Sequence, residues 1–486
     1  MKRILLLKPP SPTLVNGKIS KLPLELMSLA SALSSKPFYN LLVEKYGSID
    51  KKASEYQIVI EDLSSLKSLS QKNISSLECF DLVGITSTTS QINQAVNICS
   101  ILKEKNPNAK FVIGGPHASL AKEQLLVYNL FDVINVGEGI ESFPLIASDI
   151  LNDAPFYRAE NIIYDGHRNY KDTSKSLVSI NNYPLSSNSI TLLDLSLYDT
   201  SGFIAHDGII KTPIALIQTS IGCNHNCSFC SIPQIYNYRK FVCLERICEE
   251  FIQYFKNGIR LFHIVDDTFS DPFGRPLELS TLLNNTFRQG MIEWVFNIRA
   301  DDLVNRYLDN LSGNNFKNLV WYFNQLSKSG CRGISIGVET GDSSLLKRIN
   351  KRTSLSCVSL LTDAAKEAGL GVKWYLMVGL PGQNWNSIFK TADFITKNVP
   401  TGMAVSFFIP HIGTEFFSDK RIKFESNNFN DFLSCPEPKD RYQKTLKSII
   451  STDVMNNEEI TKARNFLIDT FLENKGKKQG VEKCGL

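Results

Sequence analysis

Three cysteines constrain this sequence more than any other feature. Cys223, Cys227 and Cys230 have C-x3-C-x2-C spacing within residues 214–233 (IALIQTSIGCNHNCSFCSIP), just after a short apolar run. An apolar run of this length is typical of a buried strand, and the Thr, Ser and Gly that follow it predict a loop. We therefore expect the three thiols to lie on one loop at the end of a strand, close enough to bind a common metal centre.

The number of thiols also carries information. Thiolates are soft ligands that suit zinc and iron-sulfur clusters. A structural zinc ion and a closed cluster each use four protein ligands, so a set of three leaves a position for a substrate or cofactor and favours catalysis. Because His225 lies inside the motif, a zinc site of three Cys and one His is an alternative. Three unligated loop cysteines are another.

The motif, with Phe229 directly before its last cysteine, resembles the signature of the radical S-adenosylmethionine (SAM) enzymes. This resemblance implies that Cys223, Cys227 and Cys230 are both metal ligands and catalytic residues. They would hold a 4Fe-4S cluster whose fourth iron binds the amino and carboxylate groups of SAM.

Length and composition limit the number of domains and the kinds of partner that we expect. A chain of 486 residues is long enough for two or three domains. Its 53 basic and 49 acidic side chains nearly balance, which gives no reason to expect a nucleic acid partner. No apolar run is long enough for a membrane span, and the four apolar residues near the N-terminus are too few for a signal peptide. We expect a cytoplasmic protein whose eleven cysteines stay reduced.

Residues 1–150 predict a Rossmann-like, doubly wound α/β domain. Helical patterns at residues 24–33 and 92–102 alternate with short apolar runs that predict strands, and this alternation favours a parallel sheet covered on both faces. The predicted strands are residues 4–7, 41–43, 82–86, 111–113 and 133–136. Small residues follow the last three, at the strand ends where such sheets bind ligands, so a large flat ligand can approach the backbone.

Four sequence segments resemble motifs of the cobalamin-binding domain of one radical SAM subgroup: KPP, GITSTTS, IGGPHAS and VGEGIESF. The cobalamin-binding residues that the resemblance implies are Thr86, Ser87, Thr88, Gly114, Gly115, His117, Gly137 and Glu138. Residues 8–12 (KPPSP) replace the D-x-H-x-x-G motif of the wider family, which implies cobalamin without a histidine on its lower face. The alternative is a Rossmann-like domain that binds nothing or another nucleotide, although G-x-G-x-x-G is absent after the first strand.

The second half of the chain predicts a barrel. Residues 151–205 read as a linker with a hairpin at Asp165 and Gly166, residues 206–417 as six strand-helix units, and residues 418–486 as a small C-terminal helical region. The predicted strands are residues 214–217, 261–265, 294–298, 333–338, 374–378 and 404–408. Six units match the partial (β/α)6 barrel of radical SAM enzymes, and VDDTF, GVETGD-x5-RINK, VGLPGQ and IP-x2-GTEFF resemble strand-end motifs of the cobalamin-binding subgroup.

The strand ends supply candidate SAM contacts. These are Phe229, Asp266, Asp267, Arg299, Glu339, Met377 and Ile409. Arg299 can pair with the SAM carboxylate through a charge-assisted hydrogen bond, and Glu339 can accept from ribose hydroxyls or face the amino group. One of the two aspartates could instead cap a turn.

The resemblance implies a cobalamin-dependent radical SAM C-methyltransferase. It would generate a 5′-deoxyadenosyl radical and deliver a methyl group from methylcobalamin to a carbon of a small-molecule or peptide substrate. An electron donor such as flavodoxin or ferredoxin would be its partner. The alternatives are cyclisation, ring rearrangement or oxidation with the same cofactors, and a non-catalytic cobalamin or redox sensor. Methylthiolation of tRNA needs a second cluster, but Cys79 and Cys99 are the only cysteines before the motif.

Overall fold

The structure is a computed structural model in which the chain forms two compact units. The first unit comprises Met1–Asp199 and Ser231–Ile259, and the second comprises Thr200–Cys230 and Arg260–Leu486. The structure describes residues 1–10, 21–46, 56–65, 77, 79–154, 157–164, 167–169, 178–199, 211–269, 274–307, 315–432 and 442–483. The division of the sequence into domains at residues 150, 205 and 417 stays a prediction.

The first unit contains a seven-stranded sheet in the order β2-β1-β3-β4-β5-β6-β7. Its strands are β1 (Lys2–Lys8), β2 (Tyr56–Asp62), β3 (Leu82–Thr86), β4 (Lys110–Gly114), β5 (Val133–Asn135), β6 (Ile162–Tyr164) and β7 (His167–Asn169). Strands β1 to β5 are parallel, and β6 and β7 are antiparallel. The inner strand β1 reads as a continuous apolar run because both faces of a parallel sheet are covered.

The first unit also contains helices and a further short strand. The helices are Leu24–Ser34, Lys36–Tyr46, Ile92–Lys105, Pro116–Leu120, Lys122–Leu125, Gly139–Leu151, Ile232–Ile235 and Leu244–Lys256, and a two-residue strand, β10, is Lys240–Phe241. The last long helix joins the first unit through the buried carboxylate of Glu250, which accepts hydrogen bonds from the Ser186 hydroxyl and from the Ser187 N–H at 2.9 Å. The helices predicted at residues 24–33 and 92–102 are therefore confirmed, with ends that differ by up to three residues.

One predicted strand is wrong. Residues 41–43 lie in the helix Lys36–Tyr46, in which Leu42 is buried while Leu41 and Val43 are half-buried. Three apolar residues are too few to tell a strand from a helix by periodicity. The strand is β2 instead, an edge strand that is only partly buried and so lacks a strong apolar pattern. The predicted hairpin is present as β6 and β7, while its turn residues Asp165 and Gly166 lie outside the described residues.

The second unit contains six parallel strands in the order β15-β14-β13-β12-β11-β8. They are β8 (Ile214–Ile217), β11 (Leu261–Ile264), β12 (Glu293–Ile298), β13 (Cys331–Glu339), β14 (Gly371–Val378) and β15 (Gly402–Phe407), and the two-residue strand β9 is Ser220–Ile221. Each strand pairs with the one before it in the chain, which gives an open sheet with β8 and β15 at its edges. All six predicted strands are confirmed, as is the predicted fold class.

The helices of the second unit follow the strands. They are Arg275–Thr286, Ala300–Tyr307, Asn315–Lys328, Ser343–Arg348, Leu355–Glu367, Trp385–Asn398 and Asn457–Lys483, and β16 (Ile422–Phe424) pairs with β17 (Ile450–Thr452) as an antiparallel hairpin. Aromatic residues tie helices to the sheet, as where Trp374 stacks on Phe394 with ring centroids 5.0 Å apart. Among the described helices, none has the length and apolar content that crossing a membrane requires.

Candidate functional site

The cysteine loop, residues 222–230, follows β8 and β9 in the second unit. Cys227 is buried, Cys223 and Cys230 are half-buried, and none of the three forms a disulfide. The Cys230 N–H donates to the Cys227 carbonyl at 3.0 Å, which closes a tight turn around the last two thiols. The structure thus places the three sulfur atoms on one loop at the end of a strand, as the spacing predicts.

Hydrogen bonds fix the backbone just before the cysteine loop. The carboxylate of Asp266, after β11, accepts four hydrogen bonds of 2.5–3.1 Å from the N–H and hydroxyl groups of Thr219 and Ser220. Four donors fill the acceptor positions of an ionised carboxylate. Burial nevertheless raises the pKa of Asp266, against the effect of these hydrogen bonds. A SAM contact at Asp266 stays a prediction, and its hydrogen bonds favour a role in fixing the start of the loop.

The segment after the helix Ser343–Arg348 fixes the middle of the loop. The Ser228 N–H donates to the Ile349 carbonyl at 3.1 Å, and the Asn350 side-chain amide donates to the Asn226 carbonyl at 2.5 Å. Asn350 has a φ of 53°, a left-handed conformation that Asn adopts more readily than most residues. Ile349 and Asn350 therefore hold the loop backbone on either side of the second cysteine, Cys227.

Arg299 reaches Cys227 directly. Its Nη1 donates to the Cys227 sulfur at 3.3 Å, and its Nη2 donates to Asp301 at 2.9 Å. Asp301 in turn accepts from the Thr353 hydroxyl at 2.6 Å. Burial opposes the charge of Arg299, but its hydrogen bond to Asp301 and the charge of that residue outweigh this effect and raise the pKa of Arg299. The guanidinium is therefore a fixed positive charge beside the Cys227 thiol, one of the predicted cluster ligands.

Glu339 ends β13 in a strained conformation. Its φ is 67°, and the pairing of β13 with β14 shifts register between Gly337 and Glu339. Bulges and left-handed residues of this kind often redirect a side chain at a functional site. Here Glu339 Oε1 accepts from Lys351 Nζ at 2.8 Å, and both side chains are at least 90% buried. Lys351 Nζ also lies 6.0 Å from the centre of the Phe229 ring, so the pair adjoins the cysteine loop.

The geometry argues against zinc at the three thiols. Among the described residues, only one set of three His, Cys, Asp or Glu side chains has its ligand atoms within 4.8 Å of one another, and that set is His225, Asp301 and Asp302. The three cysteine sulfurs are therefore farther apart than 4.8 Å in at least one pair. Thiolates that share one zinc ion at 2.3 Å would be closer than that. His225 Nε2 instead pairs with Asp302 at 3.1 Å, and Asp302 also accepts from the Thr268 hydroxyl. Wider spacing suits a cluster in which each thiolate binds a different iron.

The other predicted SAM contacts also follow the sheet. Asp267 is exposed after β11, Met377 is half-buried in β14, and Ile409 is buried after β15. With Arg299 after β12 and Glu339 in β13, the candidates lie at or just beyond the carboxyl ends of five neighbouring strands. Their individual contacts with SAM stay predictions.

The carboxyl ends of β3, β4 and β5 form a second candidate site, in the first unit, which we call the β3–β5 edge. Uncharged groups connect the three loops that form this edge. The His117 N–H donates to the Ser87 carbonyl at 3.1 Å, and the Ser119 hydroxyl donates to the Gly115 carbonyl at 3.0 Å. The Gly137 N–H then donates to the Ser119 hydroxyl at 2.9 Å. The loops after these three strands are therefore tied together by hydrogen bonds that carry no net charge.

Two glycines give this edge its shape. Gly115 has φ 92° and ψ −174°, a conformation essentially limited to glycine, and a Cβ there would lie 2.5 Å from Thr86 Oγ1. Gly137 has a φ of 77°, and a Cβ there would meet no atom within 4 Å. One glycine is thus required by packing within the protein, while the other leaves open space next to the backbone.

The remaining predicted cobalamin residues differ in environment. Thr88 is the cap of a short 3-10 helix, Gly114 ends β4, and Glu138 is a half-buried carboxylate whose pKa burial raises. His117 is 1% exposed, and its Nδ1 lies 3.2 Å from the Thr89 hydroxyl. Burial lowers the pKa of His117 to about 4, so its ring is neutral at pH 7.

Ser87 supplies the test of whether this edge suits a bound group. Its side chain is 1% exposed, and its hydroxyl has no hydrogen-bond partner within the described protein. A buried hydroxyl without a partner is costly, which suggests that a ligand completes its hydrogen bonding. With the open backbone at Gly137, the edge fits a large ligand with polar side groups.

Two family profiles match the chain in separate regions. The profile of the B12-binding domain matches residues 62–147, which include β3, β4 and β5. The profile of the radical SAM superfamily matches residues 217–395, which include the cysteine loop and strands β11 to β14. The chain therefore contains a radical SAM domain and a B12-binding domain. A radical SAM domain implies a 4Fe-4S cluster and SAM, and a B12-binding domain implies cobalamin, so the predicted family and cofactors are confirmed.

Similar proteins include curated relatives and solved structures. An uncharacterized methyltransferase of Pyrococcus horikoshii is 24% identical over 65% of this chain and 64% of its own length. Bacteriochlorophyllide d C-12(1)-methyltransferase of Chlorobaculum tepidum is 25% identical over 46% of this chain and 47% of its own length. The chain therefore spans less than two thirds of the length of either relative.

The solved structures agree in fold. The radical SAM methyltransferase TsrM of Kitasatospora setae, with tryptophan substrate and a SAM analogue bound, has a TM-score of 0.63 at 14% identity, over 98% of this chain and 89% of TsrM. OxsB, a cobalamin-dependent radical SAM enzyme with aqua-cobalamin and SAM bound, has a TM-score of 0.59 at 16% identity, over 99% of this chain and 62% of OxsB.

Sequence reasoning missed several residues that lie around the three cysteines and the candidate SAM contacts. Asp301, Lys351 and Thr353 are buried partners of Arg299 and Glu339, and Asn350 binds the loop backbone. The signal for Asn350 and Lys351 was the RINK segment, which was interpreted as part of a strand-end motif of the cobalamin-binding subgroup without roles for these two residues. The contact of Asn350 with Asn226 spans 124 residues of sequence, so no local pattern indicates it.

Proposed function

We propose that this protein is a cobalamin-dependent radical SAM C-methyltransferase. The observation that carries the proposal is the presence, in one chain, of a B12-binding match at residues 62–147 and a radical SAM match at residues 217–395. Methyl transfer is favoured over other outcomes because two similar proteins and the TsrM structure are described as methyltransferases.

Each site has a distinct task in this proposal. Cys223, Cys227 and Cys230 would hold the cluster, and Ser87, Gly115 and Gly137 would hold cobalamin. When bound, the cluster supplies the electron that cleaves SAM, and cobalamin supplies the methyl group. The protein's own part is to keep the thiols in place through the carbonyl of Ile349 and the amide of Asn350.

The charged pairs fit a zwitterionic ligand. Glu339 and Lys351 place opposite charges 2.8 Å apart beside Phe229, and Arg299 carries a further positive charge. SAM carries an amino group, a carboxylate and a sulfonium, so these side chains can orient it by charge. A small-molecule substrate agrees with the tryptophan bound to TsrM.

The reaction needs an electron from outside the chain. A flavodoxin or ferredoxin is the class of donor that we propose, since a low-potential cluster requires a low-potential partner. A cytoplasmic location fits the eleven cysteines of the sequence, which a reducing compartment would protect.

Anaerobic reconstitution tests the proposal. The purified chain is loaded with iron, sulfide and hydroxocobalamin, its optical spectrum is recorded, and SAM with a deuterated methyl group is added with a reductant. Candidate substrates come from the products of neighbouring genes. We expect S-adenosylhomocysteine, 5′-deoxyadenosine and a product that carries the label. Formation of 5′-deoxyadenosine without S-adenosylhomocysteine and without a labelled product would instead indicate cyclisation, rearrangement or oxidation.

Cys227→Ala is the matched variant. It should lose the iron-sulfur absorbance and deoxyadenosine formation completely while it retains bound cobalamin, because the two cofactor sites use residues from different family domains. A reconstituted wild-type protein that binds both cofactors yet cleaves no SAM would favour the sensor function.

Methylthiolation has little support from the chain. It would require further cysteines to hold a second cluster, and the residues before the cysteine loop include only Cys79 and Cys99. Cys79 is exposed, whereas Cys99 is fully buried in a helix, where burial raises the pKa of its thiol. Two thiols in such different environments do not form a cluster site.

A further inference from the structure

The contact between Arg299 and Cys227 has a consequence for electron transfer. Arg299 is 6% exposed, and its Nη1 lies 3.3 Å from the Cys227 sulfur. A ligand carboxylate is one possible partner for such an arginine, but here its side chain donates to a cysteine sulfur and to the carboxylate of Asp301, 2.9 Å from Nη2. A buried guanidinium therefore donates to one of the three thiols that hold the cluster.

The position of this guanidinium is set by a chain of buried groups. Asp301 accepts from Arg299 on one carboxylate oxygen and from the Thr353 hydroxyl, at 2.6 Å, on the other. Burial tends to raise the pKa of Asp301, but the hydrogen bond and charge of Arg299 outweigh it and lower that pKa. Asp301 is thus ionised at pH 7. Its carboxylate orients the Arg299 guanidinium and partly offsets the positive charge of that group.

Charge and hydrogen bonding near a cluster act on its reduction potential. An added electron makes the cluster more negative, so a positive donor to a ligand sulfur stabilises the reduced form and raises the potential. A nearby carboxylate has the opposite effect. Both effects are strong here because the groups are buried, where charges interact more strongly than in water.

We propose that Arg299 is a positioning and tuning residue which raises the reduction potential of the cluster through its hydrogen bond to Cys227, and that Asp301 limits this effect. The inference rests on the proposed function only in its requirement for a cluster at the three cysteines. It assigns Arg299 a role toward the cluster in addition to any contact with SAM.

The test is a redox titration of the reconstituted full chain, followed by the electron paramagnetic resonance signal of the reduced cluster, in the absence of SAM and substrate. Arg299→Gln should give about tenfold less reduced cluster at a fixed applied potential, which for a one-electron couple equals about 59 mV. Arg299→Lys, which keeps the charge with a different reach, should lie between this variant and the wild type.

Asp301→Asn should shift the potential in the other direction, since it removes a negative charge and leaves Arg299 in place. A merely structural role for the two residues would not predict opposite signs. The control is Arg332→Gln, because Arg332 makes an ion pair of similar length, 3.0 Å, with Glu293 in the same sheet, with a more exposed arginine. It should leave the potential unchanged.

Equal potentials in Arg299→Gln, Arg332→Gln and the wild type would overturn the inference, as would shifts of the same sign in Arg299→Gln and Asp301→Asn. If Arg299→Gln fails to fold, Thr353→Val replaces it, because loss of that hydroxyl loosens Asp301 and should change the potential less. An unchanged potential in both Thr353→Val and Asp301→Asn would also overturn it. A wild-type chain that assembles no cluster would refute the proposed function itself, which separates the two failures.

Discussion

The β3–β5 edge and the cysteine-loop site show two ways to prepare a protein for a cofactor. Neutral hydrogen bonds among Ser87, His117, Ser119 and the glycine backbone hold the first. Ion pairs hold the second, with Arg299 on Asp301 and Lys351 on Glu339. The first site depends on shape and backbone access, and the second on charges kept in fixed positions.

The difference follows from what each site binds. A large ring ligand needs surface and a few polar partners, so glycines and a hydroxyl suffice. A cluster that changes charge, together with a zwitterion, needs charges that do not reorganise during the reaction. Buried charges are stable only as pairs, which explains why the cysteine-loop site is a network. Mutations should therefore separate the sites by the kind of damage as well as by its size.

Lys351→Met should cause the largest loss of stability. It leaves the buried carboxylate of Glu339 without its cation, and breaking a buried pair in this way costs about 3–5 kcal/mol. Urea unfolding followed by tryptophan fluorescence measures this in the second unit, which contains all four tryptophans. The control is Lys397→Met, which removes an exposed pair with Asp393 worth about 0.5 kcal/mol or less. Equal losses in the two variants would show that the buried pair contributes no more than a surface pair.

Gly115→Ala tests whether shape governs the β3–β5 edge. The alanine would need a backbone conformation that costs about 2–3 kcal/mol, and its Cβ would overlap Thr86. Amide hydrogen exchange of peptides from β3 and β4 measures the loss, and cobalamin binding should weaken in parallel. Gly137→Ala, where space is open, should cost about 1 kcal/mol. The comparison fails if the two variants behave alike.

The smallest predicted effect is a pH dependence of the first unit. The folded pKa of His117, about 4, is below the unfolded value of 6.5, so the unfolded chain binds the extra proton first as pH falls. Stability is therefore fully present above pH 6.5 and declines between pH 6.5 and 4, by about 1–2 kcal/mol at pH 5.

Hydrogen exchange at pH 7 and pH 5, corrected for the intrinsic exchange rate, measures this decline in β3 and β4. His117→Asn is the reference, because the carboxylates with raised pKa values, such as Glu138, contribute equally to both proteins. The wild type should lose more stability than the variant over this interval. Parallel pH profiles would mean that His117 does not titrate as a buried group.

Much of the fold could be predicted from local patterns. The six strands of the second unit were found because each is an apolar run that ends in polar or small residues. Strand β2 was missed because it lies at a sheet edge and is only partly buried. Edge strands lack the periodic burial on which such predictions depend.

Local sequence patterns were enough to indicate three thiols on a loop, small residues at the strand ends of the first domain, and the six strands of the second unit. The tertiary structure decided which side chains support these features. It brought Arg299 to Cys227, Lys351 to Glu339 and Asn350 to the loop backbone, and it grouped the helix Leu244–Lys256 with the first unit. The physical reason is that spacing along the chain fixes only neighbours within a few residues, whereas charge pairing and burial act between residues that meet only when the sheet forms.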